Sequence, residues 1–519
     1  MASRRQNQTT RRQTTFHFVN AHPSSERERS QTRHLVRSHI GKWTWRQIKG
    51  APSEVSDEKD EKDSDEERSI RTDLSQPPPS PEVFGSSYVD PFETYATTPF
   101  PSDFVNRCNA YFIHSLLLWN PSNLISSSRL SLSFHDPTLL AAFLFGASSH
   151  RHVMSLLNGG TVSAQDRRMV QLSELQSIQM INHALQDPAK ATSDAVILSV
   201  VCMANNTADE SAVLHARTSP FNAPLRSLQS LDVYGGICAN PVHQEGLVRL
   251  VAMRGGLQNL QLEGLAAIIS YADIIMSSRR LTRPHFPFIS LTGISNPTLP
   301  GAFGFGLPDL ERSLGRYGGF GFTIEMAEVF HAMKEYTALI RAYEEGSILD
   351  PDMALISGLR NLLQYHILAL PARSERGSIF QECHPGYEAC RLAALIYGIG
   401  VIFPLPAHVA PLASLARQLR LELAAQRICD CDWDVTSVGC VEMFMWILTL
   451  GGIAATMGRQ SERRWFATEL GRVALRRGLS SWYDLKGILQ RVLWLDCACD
   501  AAGRRLWDES EAAEADGAC

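Results

Sequence analysis

The sequence contains no cysteine before Cys108, and its eleven cysteines are scattered through the rest of the chain. The first twenty residues contain arginines but no apolar segment, so we do not expect a secretory signal. An odd number of scattered cysteines without such a signal indicates reduced thiols in the cytosol or the nucleus, not a disulfide framework.

Long apolar runs are also missing. The two longest candidates, LAALIYGIGVIFPLP (392–406) and MFMWILTLGGIAATMG (443–458), are shorter than the ~20 residues that a helix needs to cross a bilayer. We therefore expect both to be buried core helices and expect no membrane partner.

A strong net charge is absent, because the chain of 519 residues carries a formal charge of only -5. Charge is nevertheless segregated at the N-terminus. Residues 1–50 hold nine Arg and two Lys against two Glu, whereas residues 51–73 hold ten acidic against four basic residues. The acidic run continues into SQPPPSPEVFGSS, a composition that cannot bury a core, so residues 51–86 are predicted to be a disordered linker.

The basic segment 1–50 is the candidate for contact with another macromolecule. Clusters of this kind are typical of nuclear import or of contacts with nucleic-acid phosphates. The alternative is a solvated basic helix neutralised by the acidic run that follows. The candidate contact residues are Arg4, Arg5, Arg11, Arg12, Arg33, Arg37, Lys42, Arg46 and Lys49.

Strand-like alternation is rare, and HFPFISL (285–291) is its best example. Helical spacing dominates from Asp103 onward. Asp136 before Pro137 predicts a capped helix start, and SDAVILSVVCMA (193–204) predicts a central helix that is apolar nearly all round. The apolar stripe of a further helix is predicted at Leu175, Ile178, Ile181 and Leu185.

One part of this region is not predicted to be helical. Residues 283–322 are rich in Gly and Pro and are predicted to form loops. The sequence as a whole predicts an all-α body of packed helical hairpins over about 100–510.

The segment 243–275 raises the question of whether Arg254 and Asp273 have a chemical role. Pro241 predicts a helix start, Gly255 a left-handed C-cap, and a second helix is expected from about Leu262. A short turn favours an antiparallel hairpin in which Arg254 and Asp273 border the buried seam. We therefore interpret the two residues as a structural ion pair, since a carboxylate matches the guanidinium fork.

No other pattern is typical of an enzyme or of a metal site. The spacings of Cys429, Cys431 and Cys440, and of Cys497 and Cys499, do not fit the usual zinc pairs. His150 and His152 are two residues apart and face different sides of a helix. GAFGFGLPD lacks the Gly-x-Gly-x-x-Gly order. We expect no catalytic residue, no cofactor and no bound metal.

Three sets of sequence blocks carry a resemblance to a known family. The middle of the chain contains HQEGLVRLVAMRGGLQNL, ISYADI and RPHFP. The N-terminal part contains FHFVNAHP, RHLVRSHIGKWTWRQIK and VDPFETY, and the C-terminal part contains ACRLAALIYGIGVIFPLP and SWYDLKGILQRVLWLDCACDAAGRRLWDE. In this order, from Phe16 to Glu509, the blocks resemble the proteins that have a fungal-specific transcription factor domain. The resemblance implies an α-helical regulatory domain.

The chain departs from the family at one point. Many members carry a six-cysteine binuclear zinc cluster near the N-terminus, and no cysteine precedes Cys108 here. The resemblance implies a nuclear transcriptional regulator of a fungus without its own zinc cluster, and it allows control of a secondary-metabolite gene cluster. Expected partners are DNA phosphates, a DNA-binding partner or the transcription machinery. The alternatives are a helical protein-interaction module and a small-molecule-binding helical domain.

The predicted organisation has four parts. A basic segment (1–50) and the linker (51–86) precede the regulatory domain (87–510), and an acidic tail follows (511–519).

Overall fold

Seventeen α-helices and no strand make up the regular structure of the residues that the computed structural model describes, apart from short 3-10 and π turns. Those residues are 100–111, 132–133, 135–206, 218–237, 240–290, 297–377, 386–426 and 438–517. All of them belong to one compact unit, Pro77–Cys519. The predicted all-α class is confirmed.

The helices, in chain order, are α1 (Ser102–Tyr111), α2 (Pro137–Leu157), α3 (Ala164–Leu185), α4 (Asp194–Ala204), α5 (Leu231–Tyr234), α6 (Pro241–Met253), α7 (Leu265–Arg280), α8 (Leu299–Phe303), α9 (Leu307–Tyr317), α10 (Ile324–Glu344), α11 (Met353–Ala369), α12 (Tyr387–Tyr397), α13 (Leu412–Ala425), α14 (Val438–Ala455), α15 (Gln460–Arg476), α16 (Trp482–Val492) and α17 (Asp496–Gly517).

The predicted helix starts at Asp136 and Ser193 are confirmed. The Asp136 carboxylate accepts hydrogen bonds from the backbone N–H of Thr138 (2.9 Å) and Leu139 (3.0 Å), which caps α2. The Ser193 hydroxyl accepts from Val196 N–H at the start of α4. A side-chain oxygen at this position satisfies N–H groups that have no partner within the helix, so local sequence determines where each helix begins.

The core of the C-terminal half surrounds α14. This helix packs against α12, α13, α15, α16 and α17. Among the described residues it is the one helix long and apolar enough to cross a membrane, yet 94% of it is buried in the fold. The other apolar stretch forms α12 and a buried π turn, Gly398–Ile402. Both are core helices, as their length predicted.

A second core lies between α2, α4, α6 and α7. The predicted hairpin is wrong in its packing: α6 lies mainly against α4, and α6 and α7 do not form an extended interface with each other. The turn itself is as predicted, because Gly255 adopts φ +86° and its neighbour Gly256 donates to Val251 O. The physical reason for the difference is that α4 is apolar nearly all round, so it can cover the apolar face of α6.

The predicted helix with the stripe Leu175, Ile178, Ile181 and Leu185 is α3. Within this stripe Ile181 is buried and Ile178 packs against the second core, whereas Leu175 is 53% exposed.

The loop prediction for residues 283–322 was wrong. Residues 283–322 contain α8 and α9, because Thr298 and Gly306 begin helices there and Asp309 accepts a hydrogen bond from Gly306 N–H. Residues 285–290 of the strand candidate are irregular.

Candidate functional site

Arg254 forms an ion pair with Asp194 and not with Asp273. Its Nη2 lies 3.5 Å from Asp194 Oδ1, and the two side chains are 31% and 13% exposed. The other Asp194 oxygen accepts from the backbone N–H of Gln261 (2.7 Å) and Leu262 (2.6 Å). Asp194 therefore fastens the loop after α6 to the start of α4, and the carboxylate beside Arg254 is Asp194.

Asp273 has a separate structural role. Its carboxylate accepts from the backbone N–H of Phe286 at 2.7 Å, which holds the irregular segment after α7 against the helix. Burial raises the pKa of Asp273, although hydrogen bonds from the backbone of Phe286 and His285 oppose the shift. The predicted partner was wrong because α6 turns toward α4, which brings the carboxylate of Asp194 to Arg254.

The nine basic candidates of residues 1–50 lie outside the described residues, as do the linker 51–86, Cys429 and Cys431. Within the described ranges no three His, Cys, Asp or Glu side chains are grouped to hold a metal ion. Cys499 is fully buried, and burial raises its pKa well above the ordinary value. A thiol of this kind is a poor nucleophile and a poor metal ligand.

His150 lies within α2 and is a core residue. Its Nδ1 is 2.8 Å from the hydroxyl oxygen of Tyr111, and its ring packs on Tyr234 with centroids 5.3 Å apart. Burial lowers the pKa of His150 to about 4, so the ring is neutral near pH 7.

One arginine, Arg360, is completely buried inside the core. Arg360 is 0% exposed, and its guanidinium donates to Leu228 O (3.0 Å), Gln229 Oε1 (2.8 Å) and Asn361 Oδ1 (3.3 Å). It forms no ion pair with any described residue, so neutral acceptors satisfy it. These contacts hold Gln229 in a left-handed backbone conformation, φ +56°.

Two arginines contact Glu442, the single charged residue of α14. Arg316 Nη2 and Arg491 Nε donate to its two oxygens, the latter at 2.6 Å. Burial opposes ionisation of this carboxyl, but the hydrogen bonds from the two arginines prevail and lower the pKa of Glu442. The geometry is that of a structural ion-pair cluster, in which two arginines neutralise one buried carboxylate.

Three arginines face a surface groove. The arginine groove, as we call it, has a volume of about 440 Å³ and lies between the end of α7, one face of α12 and the start of α13. Three of its ten lining residues are arginines, namely Arg279, Arg280 and Arg391, and none of the ten is acidic. This volume is within the range of small-molecule sites.

The rim and the floor of the groove differ in chemistry. Ser414 and Gln418 form one side, with Gln418 Nε2 donating to Ser414 Oγ at 3.2 Å. Leu392, Leu395 and Leu415 lie beneath and are almost completely buried. The groove is therefore a polar, cationic recess on a closed apolar base.

Sequence reasoning missed this groove. Arg279 and Arg280 were visible only as basic residues in the last turn of α7, where they complement the helix dipole. Arg391 is more than a hundred residues away in the chain, and no local pattern connects it with them. The adjacent arginines Arg279 and Arg280 were the one feature of the sequence that could have indicated an anion-binding surface.

Comparison with known proteins adds no assignment to these sites. No family model, no curated protein and no solved structure matches the chain. The resemblance to fungal regulators therefore depends on the sequence blocks alone.

Proposed function

We propose that the chain is a nuclear transcriptional regulator of a fungus that acts through its α-helical body without a zinc cluster of its own. The observation that carries this proposal is the order of the family-like blocks from Phe16 to Glu509. It is supported by the all-α fold, since the blocks at 243–260 and 481–509 correspond to α6, α16 and α17. A role in controlling a secondary-metabolite gene cluster is part of the proposal.

Contact with DNA is proposed to depend on the basic segment. Its net charge of +9 in fifty residues suits contact with phosphates rather than with base edges. Binding would then be weakly sequence-specific and would weaken steeply with salt, so specificity would come from a DNA-binding partner.

Chromatin association in the native host tests this proposal. We expect the full chain to accumulate in the nucleus and to be recovered on chromatin, and a variant without residues 1–50 to lose both. The matched control deletes residues 51–73, which removes a charged segment of opposite sign. If the full chain is absent from the nucleus, or if both deletions have the same effect, the proposed role of the basic segment is wrong.

A second candidate function is that of a small-molecule-binding helical domain. The arginine groove favours it, because a recess of this volume with convergent polar groups is the feature expected of such a site.

A further inference from the structure

One arginine of the arginine groove, Arg280, has no acidic partner among the described residues. Arg391 donates from Nε and Nη2 to both oxygens of Glu388, at 3.0 and 2.6 Å. Arg280 donates from Nη2 to the neutral Gln244 Oε1 at 2.8 Å. Arg279 donates from Nη1 to the backbone oxygen of Ile237.

Donors remain for a ligand. A guanidinium has five N–H groups, and the contact of Arg280 uses one of them. No acceptor among the described residues contacts the Nη1 of Arg391. Two guanidinium groups facing one recess are the arrangement with which proteins bind phosphate and carboxylate oxygens.

The start of α13 contributes to the same electrostatic environment. Pro411 precedes this 14-residue helix, and within the described ranges no side chain caps its first N–H groups. Pro411 and Ser414 line the groove, so the positive end of the helix faces the recess. This end of α13 adds to the field of the three arginines and would orient an anion toward Ser414.

The floor limits the kind of ligand. Leu392, Leu395 and Leu415 are already covered by the protein, so they offer little further apolar surface to bury. A lipid or a large aromatic molecule would gain little there. A smaller cavity, beside Tyr271 and Asn361, has a volume of about 10 Å³, which is room for about one water molecule.

We propose that the arginine groove binds a compact polyvalent oxyanion, a small metabolite whose phosphate or carboxylate groups contact Arg279, Arg280 and Arg391. This site is independent of the proposed role in transcription, and its occupancy would join the end of α7 to α12 and α13.

Calorimetric titration of the full chain at low ionic strength tests the proposal, with pyrophosphate as the phosphate probe and citrate as the carboxylate probe. We expect saturable binding of at least one probe at one groove site per chain. The tighter of the two probes identifies the class of oxyanion. If neither probe binds saturably, the proposal is overturned.

Two variants locate the site. Arg280→Gln removes one charge from an exposed side chain, and we expect affinity to fall by roughly tenfold, the loss of one charge-assisted contact. Ser414→Asp places a negative charge on the rim and should weaken binding by at least about tenfold through repulsion. It should not weaken the fold, because an acidic residue suits the first turn of a helix.

Matched controls separate the groove from the rest of the chain. Arg417→Gln removes an exposed charge from the same helix outside the groove, and Ser461→Asp adds a charge to the first turn of α15. Both should bind like the wild-type chain. Binding that Ser414→Asp leaves unchanged would belong to another part of the chain, such as the basic segment, and would contradict the proposal.

Discussion

Arg360 and Arg280 have the same guanidinium group in opposite surroundings. Arg360 lies inside the core with neutral acceptors around it, whereas Arg280 is exposed at the rim of a groove with one amide contact. In the first setting the protein itself satisfies the charge and thereby fixes the segment 228–230. In the second setting donors remain, so the charge is available to another molecule. Burial and hydrogen-bond partners, not residue type, decide whether an arginine stabilises the fold or has donors left for a ligand.

The largest effect is expected for Arg360→Ala. The substitution removes a fully buried side chain, leaves a cavity and deprives Leu228 O and Gln229 Oε1 of their donor. We expect the free energy of unfolding to fall by about 3–5 kcal/mol, measured by denaturant titration. The exposed Arg417→Ala is the control, and a similar small loss for both would contradict the structural role of Arg360.

Glu442→Gln should have the next largest effect, because two arginines lose a charged acceptor. We expect a loss of about 1.5–3 kcal/mol near neutral pH. Since the pKa of Glu442 is lowered in the fold, its contribution is present above the ordinary glutamate pKa of about 4.3 and is lost as the pH falls through the lower folded value.

The difference between wild type and Glu442→Gln should therefore shrink in acid. Unfolding measured at a series of pH values tests the sign, with the exposed Glu311→Gln as control. A difference that grows toward low pH would show that the carboxyl is not held ionised by Arg316 and Arg491.

The intermediate case is the pair of Asp194 and Arg254. Asp194→Ala removes the acceptor of two backbone N–H groups, so we expect a loss of about 1.5–3 kcal/mol. Arg254→Ala removes a partly exposed ion pair and should cost only about 0–1 kcal/mol. Comparison of the two melting temperatures checks this order. Equal losses would mean that the ion pair, and not the backbone contacts, holds the loop.

The smallest effect on stability is expected for Arg280→Gln. Because the side chain is exposed and its partner is neutral, the free energy of unfolding should change by no more than about 0.5 kcal/mol. Thermal unfolding without added anion measures it. A large loss would place Arg280 with Arg360 among the structural arginines and remove the distinction on which the groove proposal depends.

The sequence by itself determined the class of fold and the positions of several helix ends. Asp136 and Ser193 supply cap oxygens, Gly255 supplies a left-handed turn, and α14 is apolar enough to require burial. These features depend on a few adjacent residues, so local physical chemistry is sufficient to predict them.

Only the tertiary structure decided which helices meet. Apolar spacing shows that α6 has a face to bury but does not show whether α4 or α7 covers it. Because α6 packs against α4, Arg254 pairs with Asp194 and not with Asp273. The arginine groove required residues from α7, α12 and α13 to converge. These residues are far apart in the chain, and they meet because the packed helices together bury the most apolar surface. The spacing of residues within one helix does not predict that total buried surface.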